Sequence, residues 1–165
     1  MIFCISLILL AGAPETPGPG EEIHGPGELP VKSYEQSNAN AGATPFDDAA
    51  MFDAFGGQEG VARIVGDLVE LSLADPRIGD IFRGQDLVRL RRTLGEQFCY
   101  ILGGDCTYTG RDMKAAHDRM GIERADMNAL VENLQAAMTA EGVPFRLQNR
   151  FLSKLAPMRR HVVER

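Results

Sequence analysis

Tyr108-Thr109-Gly110-Arg111-Asp112-Met113-Lys114-Ala115-Ala116-His117, closed at Gly121, is the stretch on which the reading of this chain turns. It carries one of only three histidines; His24 lies in a Pro/Gly-rich segment and His161 close to the C-terminal end. A lone histidine on a short helix is ordinarily a surface residue or a satisfied core residue. A metal site built from protein ligands alone takes three or four donors, and no second His or Cys cluster accompanies His117. The sequence on either side must therefore decide what His117 does.

Upstream, Val61, Ile64, Val65, Leu68, Val69 and Leu73 recur at three-and-four spacing and predict an amphipathic helix. Asp75-Pro76 stops it, because the residue before a proline is pushed out of the helical region. After a short turn with Ile78, Ile81 and Phe82, a second stripe runs through Leu87, Leu90, Leu94, Phe98 and Ile101, and Gly103-Gly104 ends it. Downstream of His117, Met127, Leu130, Val131, Leu134 and Met138 make a third stripe. Gly142 and Pro144 separate it from a fourth, on Leu147, Phe151, Leu152, Leu155, Met158 and Val162. Pro157 predicts a kink or a 3₁₀ distortion in this last helix. No useful alternation of period two appears. The fold class is all-α, with four main helices, and pattern alone leaves a bundle and a globin both open.

Residues 46–165 read as the folded domain. Residues 14–45 read as a flexible linker: Pro17-Gly18-Pro19-Gly20, Gly25-Pro26-Gly27 and Ser37-Asn38-Ala39-Asn40-Ala41 offer little to offset their ordering entropy. Residues 1–13 read as a signal segment, with an apolar run from Ile2 to Leu10 and the small-x-small form Ala11-Gly12-Ala13. No Lys or Arg precedes the run, so a greasy tail or a misplaced start is the alternative. If the segment is cleaved, export to the periplasm or another extracytoplasmic space follows; otherwise the cytoplasm does. Cleavage removes Cys4 and leaves Cys99 and Cys106. This even pair suits an oxidising compartment. A bridge would close a short loop worth ~2–3 kcal/mol; two free thiols are the other reading.

The 165 residues are 44% hydrophobic and 24% charged, an ordinary globular balance, with a formal net charge of -6. That charge argues against nucleic acid as a partner, since a reader of DNA needs a basic face. No apolar run reaches the 18 residues of a membrane span.

Over Phe52 to Val163 the chain resembles the group I truncated haemoglobins. The likeness is carried by Phe52-Asp53-Ala54-Phe55-Gly56-Gly57, Leu73-Ala74-Asp75-Pro76-Arg77-Ile78, Ile81-Phe82 and Leu102-Gly103-Gly104. It continues through Tyr108 to Met113, His117, Gly121-Ile122, Gly142-Val143-Pro144 and Leu155-Ala156-Pro157-Met158. Each piece is unspecific; their order and spacing are not. The resemblance implies a two-over-two helical sandwich around haem b (iron protoporphyrin IX), a macrocycle that supplies four nitrogens and needs one imidazole from the protein. It puts the proximal ligand at His117, the ring packed on the haem face at Phe82, and contacts to the tetrapyrrole edge at Tyr108, Met113 and Ile122. Arg92, Arg111 and Lys114 become candidates to pair with the haem carboxylates, with a plain solvated face as the competing reading for each.

The chain departs from the family on the distal side. Where the family places a Tyr and a Gln, this sequence has Val69 and Leu94; Leu90 and Phe98 extend the apolar surface. Gln97 is the one polar residue with a chance of facing the pocket, being otherwise a polar contact on the helix side. A charge-assisted donor to the gas is worth ~1.5–3 kcal/mol, so its loss predicts O₂ affinity lower by roughly ten- to a hundredfold, with CO and NO retained. The resulting expectation is a protein that binds small gaseous ligands at a five-coordinate iron. The alternatives are a redox enzyme of NO-dioxygenase or peroxidase type, which needs a reductase, and a haem-free helical sensor or scaffold.

Overall fold

The computed structural model describes residues 22–165. The signal-like segment 1–13 and the first residues of the expected linker lie outside the described residues. The chain is helical, apart from a two-residue antiparallel pair, β1 (Glu22–Ile23) with β2 (Val31–Lys32). The helices are α1 (Ala50–Ala54), α2 (Gly57–Ala74), α3 (Gly79–Arg83), α4 (Leu87–Ile101), α5 (Met113–His117), α6 (Arg124–Ala140), α7 (Phe145–Leu155) and α8 (Arg159–Val162).

Local chemistry sets the ends of these elements. Asp86 caps α4, its carboxylate accepting from the Val88 and Arg89 amides, and Asp112 caps α5 by accepting from Ala115. Glu123 and Asp126 form a reciprocal capping box on α6. The helix α2 stops at Ala74, before Asp75-Pro76, and Pro157 sits in a 3₁₀ turn, Ala156–Met158. The His117 segment is shorter than its sequence suggests: α5 ends at His117, and Arg119 adopts a left-handed backbone with φ 61°.

Helix α2 packs against both α4 and α6, and α6 meets α7; together these four form the two-over-two sandwich. Phe151 of α7 is the hinge of the core. Its ring makes edge contacts with Phe55 at 5.3 Å and with Phe98 of α4 at 5.0 Å, the arrangement that aromatic quadrupoles favour. Gly60 lets α1 and α2 meet, since a Cβ there would stand 2.0 Å from the Phe55 carbonyl oxygen.

Residues 22–44 depart from the flexible linker that their composition predicts. They form a strap laid along α4 and the segment that leads into α5. The Asn38 side chain accepts from the Tyr108 amide at 2.7 Å, and Tyr34 donates its hydroxyl to the Thr109 carbonyl at 2.9 Å. Ala41 is fully buried. The Glu28 carboxylate, 1% exposed, faces Arg92 and Arg89. Composition counts apolar area, and this segment is held instead by hydrogen bonds and a buried ion pair.

The Arg92 guanidinium holds the Glu28 carboxyl below its ordinary value, against burial, which pushes it up. Because the folded value is the lower one, the contribution to stability is complete above the unfolded glutamate value and fades as pH falls through the folded one. Acidification below about pH 4 is therefore expected to detach the strap before the helical body unfolds. The Arg92 Nε–H resonance, followed by NMR against pH, reads this directly.

Candidate functional site

Five of the residues singled out from the sequence lie on α2, α3 and α4. Val69 is fully buried on α2. Phe82 on α3 and Leu90 and Leu94 on α4 are half-buried. Phe98 is buried, with its ring against Phe151. The α4 stripe thus divides in two. Phe98 and Ile101 are covered by the core, whereas Leu87, Leu90 and Leu94, one and more turns earlier on the same face, are only half covered. A row of leucines left in that condition is a surface shaped for an apolar partner.

The α5 end supplies the polar element. The Asp112 cap starts a single helical turn, and this turn puts the His117 ring beside the Met113 carbonyl, with Nδ1 at 2.7 Å from that oxygen. A carbonyl can only accept, so Nδ1 carries the proton. The lone pair then resides on Nε2, which has no partner among the described residues. This is the tautomer a metal-binding histidine needs, with its orientation fixed by the second nitrogen. His117 is half-buried, and α5 is backed by α8.

The segment before α5 is closely built. The buried Tyr108 hydroxyl donates to the Arg111 carbonyl at 3.0 Å, and burial pushes its phenol up. Gly110 is required there, because a Cβ would stand 2.2 Å from the Tyr108 oxygen. Met113 and Ile122 are buried on either side of His117 in sequence. Arg111 lies over the Tyr34 ring at 5.3 Å, and Lys114 is exposed. Arg92 is engaged elsewhere: Glu28, Glu96 and Thr109 take up four of its five N–H donors.

Gln97 is buried and turned toward the strap. Its amide nitrogen donates to the Ala41 carbonyl at 2.8 Å and sits 3.4 Å from the Met113 sulfur. Two features escape sequence reasoning. One is Glu28, hidden in a Pro/Gly-rich stretch. The other is Ser72, one turn beyond Val69 on α2, whose buried hydroxyl finds no partner among the described residues. Neither has a local pattern that marks it. Cys99 and Cys106 lie at disulfide distance, with Cα atoms 5.9 Å apart, tying the end of α4 to the loop before α5.

The donor set fits a haem. It consists of one oriented imidazole and a half-covered apolar face, and among the described residues no group of three or more His, Cys, Asp or Glu could hold a bare ion. Replacing Gln97 by Leu would leave the buried Ala41 carbonyl unsatisfied. It is expected to lower stability by about 1–3 kcal/mol, measured by denaturant unfolding.

Comparison with known proteins agrees with this arrangement. The sequence pattern of the bacterial-like globins matches residues 50–164. A group 1 truncated hemoglobin GlbN from Mycolicibacterium paratuberculosis is 33% identical over 110 residues, covering 67% of this chain and 81% of the relative. The crystal structure of truncated hemoglobin from Tetrahymena pyriformis in its Fe(III) form superposes with a TM-score of 0.67 at 23% identity, over 70% of this chain and 98% of that one. A 2/2 hemoglobin from a Synechococcus species, in the cyanomet state and with covalently attached heme, gives 0.64 at 24% identity, over 70% and 98%. The strap lies before the matched region. With a family pattern over most of its length and a curated relative at this identity, the chain belongs to the bacterial-like globins, as a group I truncated haemoglobin.

Proposed function

We propose that this chain holds haem b through His117 and binds diatomic gases at the opposite face of the iron. The single observation that carries the reading is the His117 ring, whose Nδ1–H is tied to the Met113 carbonyl and whose Nε2 is left free to coordinate. Haem supplies the iron and four of its nitrogens; everything else falls to the chain. Phe82, Leu90 and Leu94 would cover the flat faces, and Arg111 and Lys114 would serve the carboxylates, since Arg92 is already taken by Glu28 and Glu96. Export fits the Cys99–Cys106 pair, because such pairs persist in oxidising compartments.

The distal side supports weak retention of O₂. Val69 and Leu94 offer no donor, and Gln97 turns its two amide donors to the Ala41 carbonyl and the Met113 sulfur. An O₂ ligand depends on a hydrogen-bond donor more than CO or NO does.

Purification with added haem is expected to yield a stoichiometric Soret-absorbing complex whose ferrous form is five-coordinate. His117→Gly should lose that spectrum, and added imidazole should restore it. If the glycine variant keeps an unaltered spectrum, His117 is not the ligand. The distal argument has its own check. Leu94→Gln should slow O₂ dissociation about tenfold, the effect of one net charge-assisted hydrogen bond, while CO dissociation changes little. Stopped-flow measurement of both rates separates the two ligands.

A further inference from the structure

Residues 22–44 precede the region shared with other globins, yet apart from Thr44, which accepts from Lys154 of α7, the anchors of this strap described below fall on elements that frame the site. Its first anchor is Glu28, buried against Arg92 and Arg89 of α4. Beside it, the Leu29 amide donates to Asp86 at 2.7 Å, and Arg89 reaches back to the Leu29 carbonyl. The middle of the strap crosses to the segment before α5. There Tyr34 donates to Thr109, Asn38 accepts from the Tyr108 amide, and the Asn40 side chain reaches the Gly110 carbonyl at 3.3 Å. The strap then returns to α4, where Gln97 donates to Ala41.

This path joins the two sides of the site. Helix α4 carries the apolar face, and residues 108–112 carry the turn that presents His117. Outside the strap, Glu96 makes the short link between them, accepting from the Thr109 amide and hydroxyl at 2.9 and 2.7 Å while also pairing with Arg92. The strap doubles that link. It also governs two of the three cations that could meet the haem carboxylates. Glu28, Glu96 and Thr109 take up four of the five Arg92 donors, and the Tyr34 ring lies under Arg111.

We infer that residues 22–44 form a clasp across the edge of the site, latched by Glu28 on Arg92, and that this clasp sets how fast the cofactor leaves. The inference rests on the haem reading above. Glu28 is a positioning residue in it. The carboxylate holds Arg92 and the strap together, the strap fixes α4 against residues 108–112, and that spacing closes the path out. Two charged hydrogen bonds from one guanidinium to one buried carboxylate make the latch. Losing Arg92 would leave the buried Glu28 carboxylate with the longer ion pair to Arg89 alone.

Haem transfer from the full-length holoprotein to excess apomyoglobin, followed in the Soret region, tests the clasp. Glu28→Gln and Asn38→Ala are each expected to speed transfer by tenfold or more, with the CO-bound spectrum unaltered. Arg77→Ala is the control. It breaks a surface network of Asp75, Arg77 and Glu132 between the α2–α3 turn and α6, and should lower stability without changing the transfer rate. If the two strap variants lose haem at the wild-type rate, or if Arg77→Ala accelerates loss equally, the clasp is overturned and the haem reading stands. A wild-type chain that takes up no haem overturns both.

Discussion

Helix α4 has one apolar stripe and only enough protein to cover half of it. Its C-terminal half, Phe98 and Ile101, is sealed by Phe151 and the core. Its N-terminal half, Leu87, Leu90 and Leu94, is left half-exposed by the same packing. A helix pinned at one end by an aromatic cluster cannot turn its other end inward to hide those leucines. At ~25 cal/mol per Å² of apolar surface, covering that half is favourable. On the haem reading proposed above, His117 would then decide how the haem is oriented.

Orientation depends on a very short piece of structure. A helix of five residues is unstable on its own, so α5 exists because Asp112 caps it and because α8 and the Tyr108 turn hold it from both sides. One helical turn is also the length that places a side chain against the carbonyl four residues back. The His117 tautomer is therefore set by the geometry of the turn itself. Gly110 makes the approach possible, since any side chain there would collide with the Tyr108 ring.

The sequence made the helical body legible, because stripes at three-and-four spacing and glycine or proline stops reflect local physics that each residue carries with it. The stop at Asp75-Pro76 and the 3₁₀ turn at Pro157 are of this kind. His117 stands out through the order of the motifs around it, and its backbone partner Met113 follows from helix geometry. The strap was not legible. Its anchors join residues as far apart as Glu28 and Arg92, or Asn38 and Tyr108, and no local pattern in a Pro/Gly-rich stretch announces a distant partner. Arg92 is of the same kind. Its charge suited a carboxylate, and the carboxylates it meets are Glu28 and Glu96 of its own chain.

Gln97 shows how the strap and the distal chemistry are linked. A glutamine amide has two N–H donors, and here its nitrogen faces the Ala41 carbonyl and the Met113 sulfur. The strap brings that carbonyl to 2.8 Å inside a buried setting. Leaving it unpaired would cost about as much as a gas ligand could return. With Val69 and Leu94 already apolar, committing Gln97 to the strap removes the last amide donor that α4 could offer a ligand. On the function proposed above, the same contact that fastens the N-terminal segment would keep the distal face apolar. The weak hold on O₂ expected of this site follows from how the strap is anchored as much as from which residues line the pocket.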